Sequence, residues 1–319
     1  MRALVTGAAG FAGQWLCREL LRRGWEITGT MLGDVVATSV LPLDERRRIR
    51  WIAADVRSSE ELATAVDASG ADAVFHLAGI AYAPAARRDP AAALDVNVVG
   101  TARLLHVLRE RRRAGTLDPV VLIVGSGEQY GRHPEDAMPL AETAGQKPAT
   151  VYGATKAAQE MIALEAFRSD GLRVVAARSF NHSGPGQGPD FLLPALVRRS
   201  LALRGAWERE LAIGNTDPVR DFLHVADVAR AYTLMAERAT PGEAYNVSRG
   251  EGVSVGELAA RVLALTGVGA RLRSDPELLR PLEVPVLVGD PRKLRATTGW
   301  EPELSLDQII DDLIRATSH

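Results

Sequence analysis

The sequence predicts an α/β protein in which helices cover both faces of a parallel sheet, with a smaller mixed α/β lobe beside it. Two observations support this fold class. The first 180 residues alternate short, almost wholly apolar runs with segments of helical period. A Gly- and Pro-rich stretch follows at 181–189, and the pattern after it changes to short strands mixed with helices. Strands covered by helices on both faces are apolar along their length, because neither face meets water.

The first part of the chain is expected to supply the sheet and its covering helices as one domain, residues 1–180. The predicted strands, all rich in aliphatic residues, lie at 2–6, 26–31, 50–56, 72–79, 119–126 and 172–180. The predicted helices, in which apolar residues recur with the 3.6-residue period, lie at 12–24, 58–68, 93–113 and around 152–168.

The remaining chain, 181–319, is expected to form mainly the smaller lobe, with some of it returning to the first domain. Its opening stretch, 181–189, is predicted to be a loop because of its glycines and prolines. The other predicted elements are helices near 191–203, 224–239, 254–266 and 304–316, and short strands near 211–213 and 244–248.

Composition excludes several classes of protein. With 46% hydrophobic residues among 319, the chain has enough apolar material for a large core. A formal charge of −2 gives no general attraction to nucleic acid or to an anionic membrane. The single cysteine, Cys17, suits a reducing compartment and is expected to be a buried small residue. We see no signal peptide, no 18-residue apolar run and no histidine at a metal-ligand spacing, so we expect a cytoplasmic protein without a metal site.

Glycines at positions 7, 10 and 13 follow the first strand and open the first helix. Such a turn lets the backbone approach a pyrophosphate and presents free N–H groups at a helix N-terminus. An ordinary tight turn is the alternative, but the strand–turn–helix context favours a dinucleotide-binding, or Rossmann, sheet. We therefore expect Gly7, Gly10, Phe11, Ala12 and Gly13 to line a cofactor site.

The sequence leaves the choice between NADH and NADPH open. An acidic residue at the end of the second strand would grip a ribose hydroxyl, whereas a basic residue would accept a 2′-phosphate. Thr30 and Met31 are neither, and Asp34 comes too late. Asp55, after the third strand, is placed either to accept from an adenine amine or to cap the following helix.

Tyr152 and Lys156 lie about one helical turn apart, so both side chains can enter one cleft. Free tyrosine has a pKa near ~10, and a neighbouring ammonium is expected to lower it. Ser126 stands at the carboxyl edge of the fifth predicted strand, where α/β sheets bind ligands. A serine there can hold a substrate carbonyl while the tyrosine delivers a proton.

The motifs taken together resemble the extended short-chain dehydrogenases/reductases over nearly the whole chain. The resemblance rests on the glycine turn, "HLAG" at 76–79, "NVVGT" at 97–101, Ser126, "YGATK" at 152–156 and "RSFN" at 178–181. It implies a Rossmann sheet, a nicotinamide dinucleotide (NADPH or NADH), a nucleotide-sugar substrate, and a homodimer formed through helices 93–113 and 152–168. It also implies that the cofactor touches Thr30, Asp55, Val56, Leu77, Ala78, Gly79, Asn97, Tyr152 and Lys156.

The second half resembles the members of this family that make GDP-linked 6-deoxy sugars. The relevant segments are 180–187, 214–228 and 280–300. By resemblance, Asn181 lies near the sugar phosphate, Arg220 contacts the diphosphate, and Arg280 with Glu283 holds the nucleoside. Arg198 is expected either to reach the diphosphate or guanine, or to form a surface ion pair.

Two reactions fit that resemblance: reduction of the 4-keto group of a GDP-linked 4-keto-6-deoxy sugar, and 4,6-dehydration of GDP-mannose. Dehydration needs an acid–base group besides the tyrosine, and Glu128 matches the dehydratase glutamate. Reductases also tolerate an acid there, and the paired arginines of the dehydratases are missing after the second strand, where "TMLGD" stands. The reductase is therefore preferred, with Ser126, Glu128, Tyr152 and Lys156 as the catalytic set. A non-catalytic dinucleotide sensor ranks low, because it would not need that set.

Overall fold

The computed structural model describes residues 1–33, 40–206, 209–278 and 284–318. The strands of these residues, in chain order, are β1 Arg2–Thr6, β2 Glu26–Met31, β3 Ile49–Ala53, β4 Ala73–His76, β5 Val120–Val124, β6 Arg173–Ser179, β7 Asn181–Ser183, β8 Glu210–Ile213, β9 Val219–His224, β10 Ala244–Val247, β11 Gly252–Ser254, β12 Arg271–Ser274 and β13 Val286–Leu287. The α-helices are α1 Phe11–Arg22, α2 Leu43–Arg47, α3 Ser59–Ser69, α4 Ala83–Arg88, α5 Pro90–Leu94, α6 Gly100–Arg113, α7 Val151–Asp170, α8 Leu192–Ala202, α9 Val225–Arg238, α10 Val255–Thr266, α11 Arg292–Thr298 and α12 Leu306–Thr317.

The main sheet has seven strands in the order β10-β6-β5-β4-β1-β2-β3, and every neighbouring pair is parallel. One buried cluster joins its first face to α1 and α9, and a second joins the other face to α3, α6 and α7. The α/β fold class is confirmed. The strand order reverses between β1 and β4, and doubly wound sheets bind ligands at such a reversal.

The seventh strand, β10, comes from the second half of the chain. It pairs with β6 in a register that sets Ala244 opposite Ala176 and Val247 opposite Ser179. Helix α9, just before it, packs against α1 on the same face of the sheet. The strand expected near 244–248 therefore exists, and it extends the main sheet.

The remaining strands form two small sheets beside the main one. Strands β7, β9, β11 and β13 make one, and β8 pairs with β12 in the other. Helices α8, α10 and α12 close a separate apolar cluster over them, which includes Leu196, Leu258 and Ile310. The prediction of a loop throughout 181–189 is wrong, because 181–183 pair with β9.

The helix predicted at 93–113 consists of α5, a π-helical turn at Asp95–Val99, and α6. By length and composition alone, Pro90–Arg113 is the one helix among the described residues that is apolar enough to cross a membrane. It contains Asp95 and Arg103, so it is not an uninterrupted apolar run of 18 residues. Its α6 part packs between α3 and α7, so its apolar face serves the core of the sheet layer. Cys17 is buried, as expected.

Candidate active site

The turn after β1 holds two of its glycines where a side chain would collide with backbone. Gly7 has φ of 70°, and a Cβ there would lie 2.8 Å from the Ala78 nitrogen. A Cβ on Gly13 would lie 2.2 Å from the Gly7 oxygen. Gly10 is the N-cap of α1 and supplies no side-chain cap. The first turn of α1, which includes Phe11 and Ala12, therefore presents amide groups that suit a pyrophosphate.

The ends of β2 and β3 flank this turn. The Gly7 N–H donates to the Thr30 hydroxyl at 3.3 Å, so the buried threonine supports the glycine turn. The Asp55 carboxylate pairs with the Arg57 guanidinium, and that hydrogen bond lowers the pKa of Asp55. The alternative role of Asp55 as the helix cap is wrong, since Ser58 caps α3 by accepting from the Glu61 N–H.

The segment after β4 is tied to β1. The Leu77 N–H donates to the Thr6 carbonyl at 3.2 Å, and the Ala78 N–H to the Thr6 hydroxyl at 3.3 Å. Both residues thus lie directly against the glycine turn, as the cofactor prediction requires.

Gly79 continues this segment toward α7. A Cβ on it would lie 2.9 Å from Asn97 Oδ1 and 3.6 Å from Lys156 Nζ. Asn97 lies in the π-helical turn, where its amide accepts from the Ile80 N–H at 2.7 Å and donates to the Ile80 carbonyl at 3.1 Å. Val56 is buried against Gly100 at the end of this turn, so it serves packing.

Ser126, Glu128 and Tyr152 come together where β5 ends and α7 begins. Ser126 and Glu128 both lie near enough to the Tyr152 hydroxyl to shift its pKa, the serine lowering it and the Glu128 charge raising it. The Thr150 hydroxyl donates to Glu128 Oε2 at 2.9 Å. Thr150 also caps α7 by accepting from the Gly153 N–H at 2.9 Å. Thr150 therefore both caps the N-terminus of α7 and holds the Glu128 carboxylate near Tyr152.

The expected lowering of the Tyr152 pKa by Lys156 is not found, because Lys156 is not among the groups that shift this pKa. Burial and the Glu128 charge raise the pKa of Tyr152 above its ordinary value. The Lys156 ammonium points elsewhere, donating to the Val124 carbonyl at 2.8 Å and to Gln159 Oε1 at 2.8 Å. Its own burial lowers the pKa of Lys156 to about 8. Tyr152 is therefore a neutral phenol at neutral pH, which is the form of a proton donor.

Sequence patterns did not predict a buried series of hydrogen bonds that begins at Lys156. Gln159 accepts from the ammonium, so its Nε2 donates to the Thr101 hydroxyl at 2.9 Å. The Thr101 hydroxyl donates its hydrogen to the Asn97 carbonyl at 2.7 Å. It must therefore accept from His76 Nε2 at 2.9 Å. Burial, with the Lys156 charge, lowers the pKa of His76 to about 3 and keeps it neutral.

The predicted substrate residues lie on the second half of the chain. Asn181 on β7 faces Phe222 in register, two residues beyond Arg220 on β9. Arg220 donates to the Val219 carbonyl at 2.9 Å. Arg198 is exposed on α8. Arg280 and Glu283, like Asp34, lie outside the described residues.

The family model for GDP-mannose 4,6 dehydratase matches residues 4–313. The GDP-6-deoxy-D-mannose reductase of Pseudomonas aeruginosa is 37% identical over 240 residues, covering 75% of this chain and 78% of the relative. The GDP-mannose 4,6-dehydratase of Vibrio cholerae is 25% identical, covering 98% and 92%. The structure of RMD from Pseudomonas aeruginosa with NADPH superposes with a TM-score of 0.83 at 29% identity, covering 100% of both chains. The chain therefore belongs to the GDP-mannose 4,6-dehydratase family of extended short-chain dehydrogenases/reductases, which are NAD(P)-dependent nucleotide-sugar enzymes.

Proposed function

We propose that this protein reduces the 4-keto group of GDP-4-keto-6-deoxy-D-mannose to give GDP-D-rhamnose, with NADPH or NADH as the reductant. The observation that carries the proposal is the proximity of Ser126 to a protonated Tyr152 where β5 ends and α7 begins. A ketone that receives a hydride also needs one proton at its oxygen. Tyr152 is held in the form that supplies it.

Each catalytic residue has one task in this reaction. Gly7, Gly10 and Gly13 would hold a nicotinamide dinucleotide, which would supply the hydride when bound. Ser126 donates a hydrogen bond that polarises the substrate carbonyl, and Tyr152 transfers its proton to the carbonyl oxygen. Lys156 adds positive charge next to Gly79 and Asn97 at the inner edge of the site.

The comparisons support a GDP-linked substrate and the reductase over the dehydratase. The relative named as a reductase is 37% identical, against 25% for the dehydratase of Vibrio cholerae. That reductase acts on a GDP-6-deoxy sugar by its name, and the RMD structure contains NADPH. Neither the sequence nor the described residues after β2 favour one nicotinamide cofactor over the other.

One observation favours GDP-mannose 4,6-dehydration as the second candidate. The Glu128 carboxylate lies within electrostatic range of the Tyr152 hydroxyl and is held there by Thr150. A dehydratase needs such a group to take a proton from carbon 5 and to expel the hydroxyl of carbon 6. A dinucleotide sensor without chemistry would have no use for this arrangement.

Two substrates separate these possibilities. The purified protein is mixed with NADPH or NADH and GDP-4-keto-6-deoxy-D-mannose, and nicotinamide absorbance is followed. A reductase consumes cofactor in step with sugar. GDP-mannose alone is then offered with oxidised cofactor. Conversion of GDP-mannose to the 4-keto sugar, without reduction of that sugar, contradicts the proposal, and inactivity with both substrates favours the sensor.

We also propose that the protein is a homodimer that pairs through the helical segment 93–113 and through α7. Three large apolar side chains are exposed there: Leu94 of α5 at 48%, Val99 of the π-helical turn at 41% and Met161 of α7 at 63%. Their burial in a helix–helix interface would remove apolar surface from water. Light scattering after size exclusion should give about twice 34.2 kDa for the wild type, and Met161→Glu should shift it toward monomer. A monomeric wild type contradicts this proposal.

A further inference from the structure

We propose that Gln129 is a positioning residue for the reaction: it fixes the backbone of Ser126 and ties it to the catalytic helix through the buried carboxylate of Glu160. The inference rests on the proposed function for its kinetic consequence. Its structural part concerns only hydrogen bonds within this chain.

The first link runs from the serine to the glutamine. The Ser126 N–H donates to Gln129 Oε1 at 2.7 Å, while the Ser126 hydroxyl accepts from the Glu128 N–H at 3.2 Å. This capping box surrounds a short 3₁₀ turn at Gly127–Gln129. Gln129 is wholly buried, and a Cβ on Gly125 would lie 2.2 Å from its Oε1. The Gln129 amide therefore packs directly against the backbone of Gly125 and Ser126.

The second link fixes which way the amide points. Gln129 Nε2 donates to Glu160 Oε2 at 2.8 Å. A carboxylate accepts hydrogen bonds, so the nitrogen must face Glu160 and the oxygen must face Ser126. The inverted amide would set oxygen against carboxylate and leave the Ser126 N–H facing an NH₂ group. Gln129 thus has one orientation, and that orientation holds the serine.

The third link makes Glu160 an anchor. Arg178 on β6 binds it with two bonds, Nε to Oε2 at 2.9 Å and Nη2 to Oε1 at 2.6 Å. The side chains of this pair are 3% and 7% exposed. Arg178 also donates to the Tyr130 hydroxyl at 2.8 Å. A forked pair of this kind, shielded from water, fixes both position and angle.

The anchor lies on the same helix as the proton donor. Glu160 follows Lys156 by about one turn of α7, and Tyr152 stands one turn before Lys156. Gln129 and Glu160 therefore fix the position of Ser126 relative to α7, the helix that carries Tyr152 and Lys156. The serine and tyrosine must meet one carbonyl oxygen together, so their relative position decides whether the substrate is polarised and protonated at the same time.

The chain supplies its own matched control. Gln146 donates to Glu160 Oε1 at 2.7 Å, through the same chemical group as Gln129, and it also accepts a longer bond from Gln129 Nε2 at 3.4 Å. The Ser126 N–H, however, donates to Gln129. Gln129→Leu and Gln146→Leu each remove one donor from Glu160, and the first alone releases the serine.

Amide exchange tests the structural part without any substrate. Hydrogen exchange of the peptide containing residues 125–130 should be faster in Gln129→Leu than in wild type or Gln146→Leu. Thermal unfolding is measured alongside, so that exchange is compared only among folded proteins. Equal exchange in the two variants overturns the proposal, whatever reaction the protein catalyses.

Kinetics test the consequence, with whichever substrate the wild type turns over. Gln129→Leu should lower kcat by about 10- to 100-fold, the usual cost of a small misplacement of a catalytic group, while the dissociation constant of the dinucleotide stays within about twofold. Gln146→Leu should keep kcat within about threefold of wild type. A Gln129→Leu enzyme with wild-type kcat overturns the proposal, whereas a wild type inactive on the 4-keto sugar overturns the proposed function alone.

A like-charge substitution tests the same contact from the other side. Gln129→Glu sets a second carboxylate against Glu160, where Gln129 Nε2 now donates, and should cost at least as much kcat as Gln129→Leu. A Gln129→Glu enzyme with wild-type kcat that unfolds at the wild-type temperature contradicts the assigned role.

Discussion

Glu128→Gln is the substitution that best separates the two reactions, because it removes a charge and keeps the shape. The amide oxygen can still accept from the Thr150 hydroxyl, which donates to Glu128 Oε2 at 2.9 Å. A hydrogen bond to a charged group contributes roughly 1 kcal/mol more than one to a neutral group. At about 1.4 kcal/mol per tenfold in rate, a reductase should lose about fivefold in kcat.

A dehydratase should respond very differently to the same change. There the carboxylate moves protons, and its loss should cost about 10²- to 10⁴-fold. The assay is nicotinamide absorbance with GDP-4-keto-6-deoxy-D-mannose and product analysis with GDP-mannose. Glu135→Gln, on an exposed 3₁₀ turn, is the control for a surface charge and should leave both activities unchanged. A loss of 100-fold or more in Glu128→Gln would refute the reasoning.

Three further predictions follow from the site. Tyr152→Phe should lower turnover by about 10²- to 10⁴-fold with cofactor affinity unchanged by calorimetry, and near-wild-type turnover would exclude Tyr152 as the proton donor. Gly10→Val should weaken dinucleotide binding at the N-terminus of α1; an unaltered calorimetric affinity would place the cofactor elsewhere. Lys156 has a pKa lowered to about 8 by burial, so its charge is present below that pH, and turnover should fall as pH rises through about 8. In Lys156→Arg any remaining activity should lose this alkaline limb, and a limb that stays at the same pH would assign it to another group.

Sequence patterns predicted the main sheet well because its strands are apolar and local. They missed β9, whose residues 219–224 read "VRDFLH" and include three ionisable side chains. Asp221 is fully buried there because its carboxylate accepts from the N–H groups of Arg249 and Gly250, both far along the chain. Such a partner cannot be read from local periodicity.

In the candidate site, too, the features set by local sequence were predicted and those set by distant partners were not. The Ser126, Tyr152 and Lys156 set follows from residue type and spacing, and the structure places Ser126 near the Tyr152 hydroxyl. The direction of the Tyr152 pKa does not follow, because it depends on burial and on where the ammonium points. Gln129 had a readable signal, the Ser-x-x-Gln capping box, whereas its partner Glu160 depends on the packing of α7 against β6.

The backbone crosses several times between the main sheet and the small sheets, and this limits how these parts can move relative to each other. The backbone passes from β6 of the main sheet into β7, returns from β9 into α9, leaves again from β10 toward β11, and comes back from β13 to α11. Two structural units joined by a single linker can rotate freely. The main sheet and the small sheet are instead joined by several connections. Any opening must bend all of them together. Entry and exit of a nucleotide sugar should therefore depend on movement of loops at the rim, with the two sheets keeping a nearly constant angle.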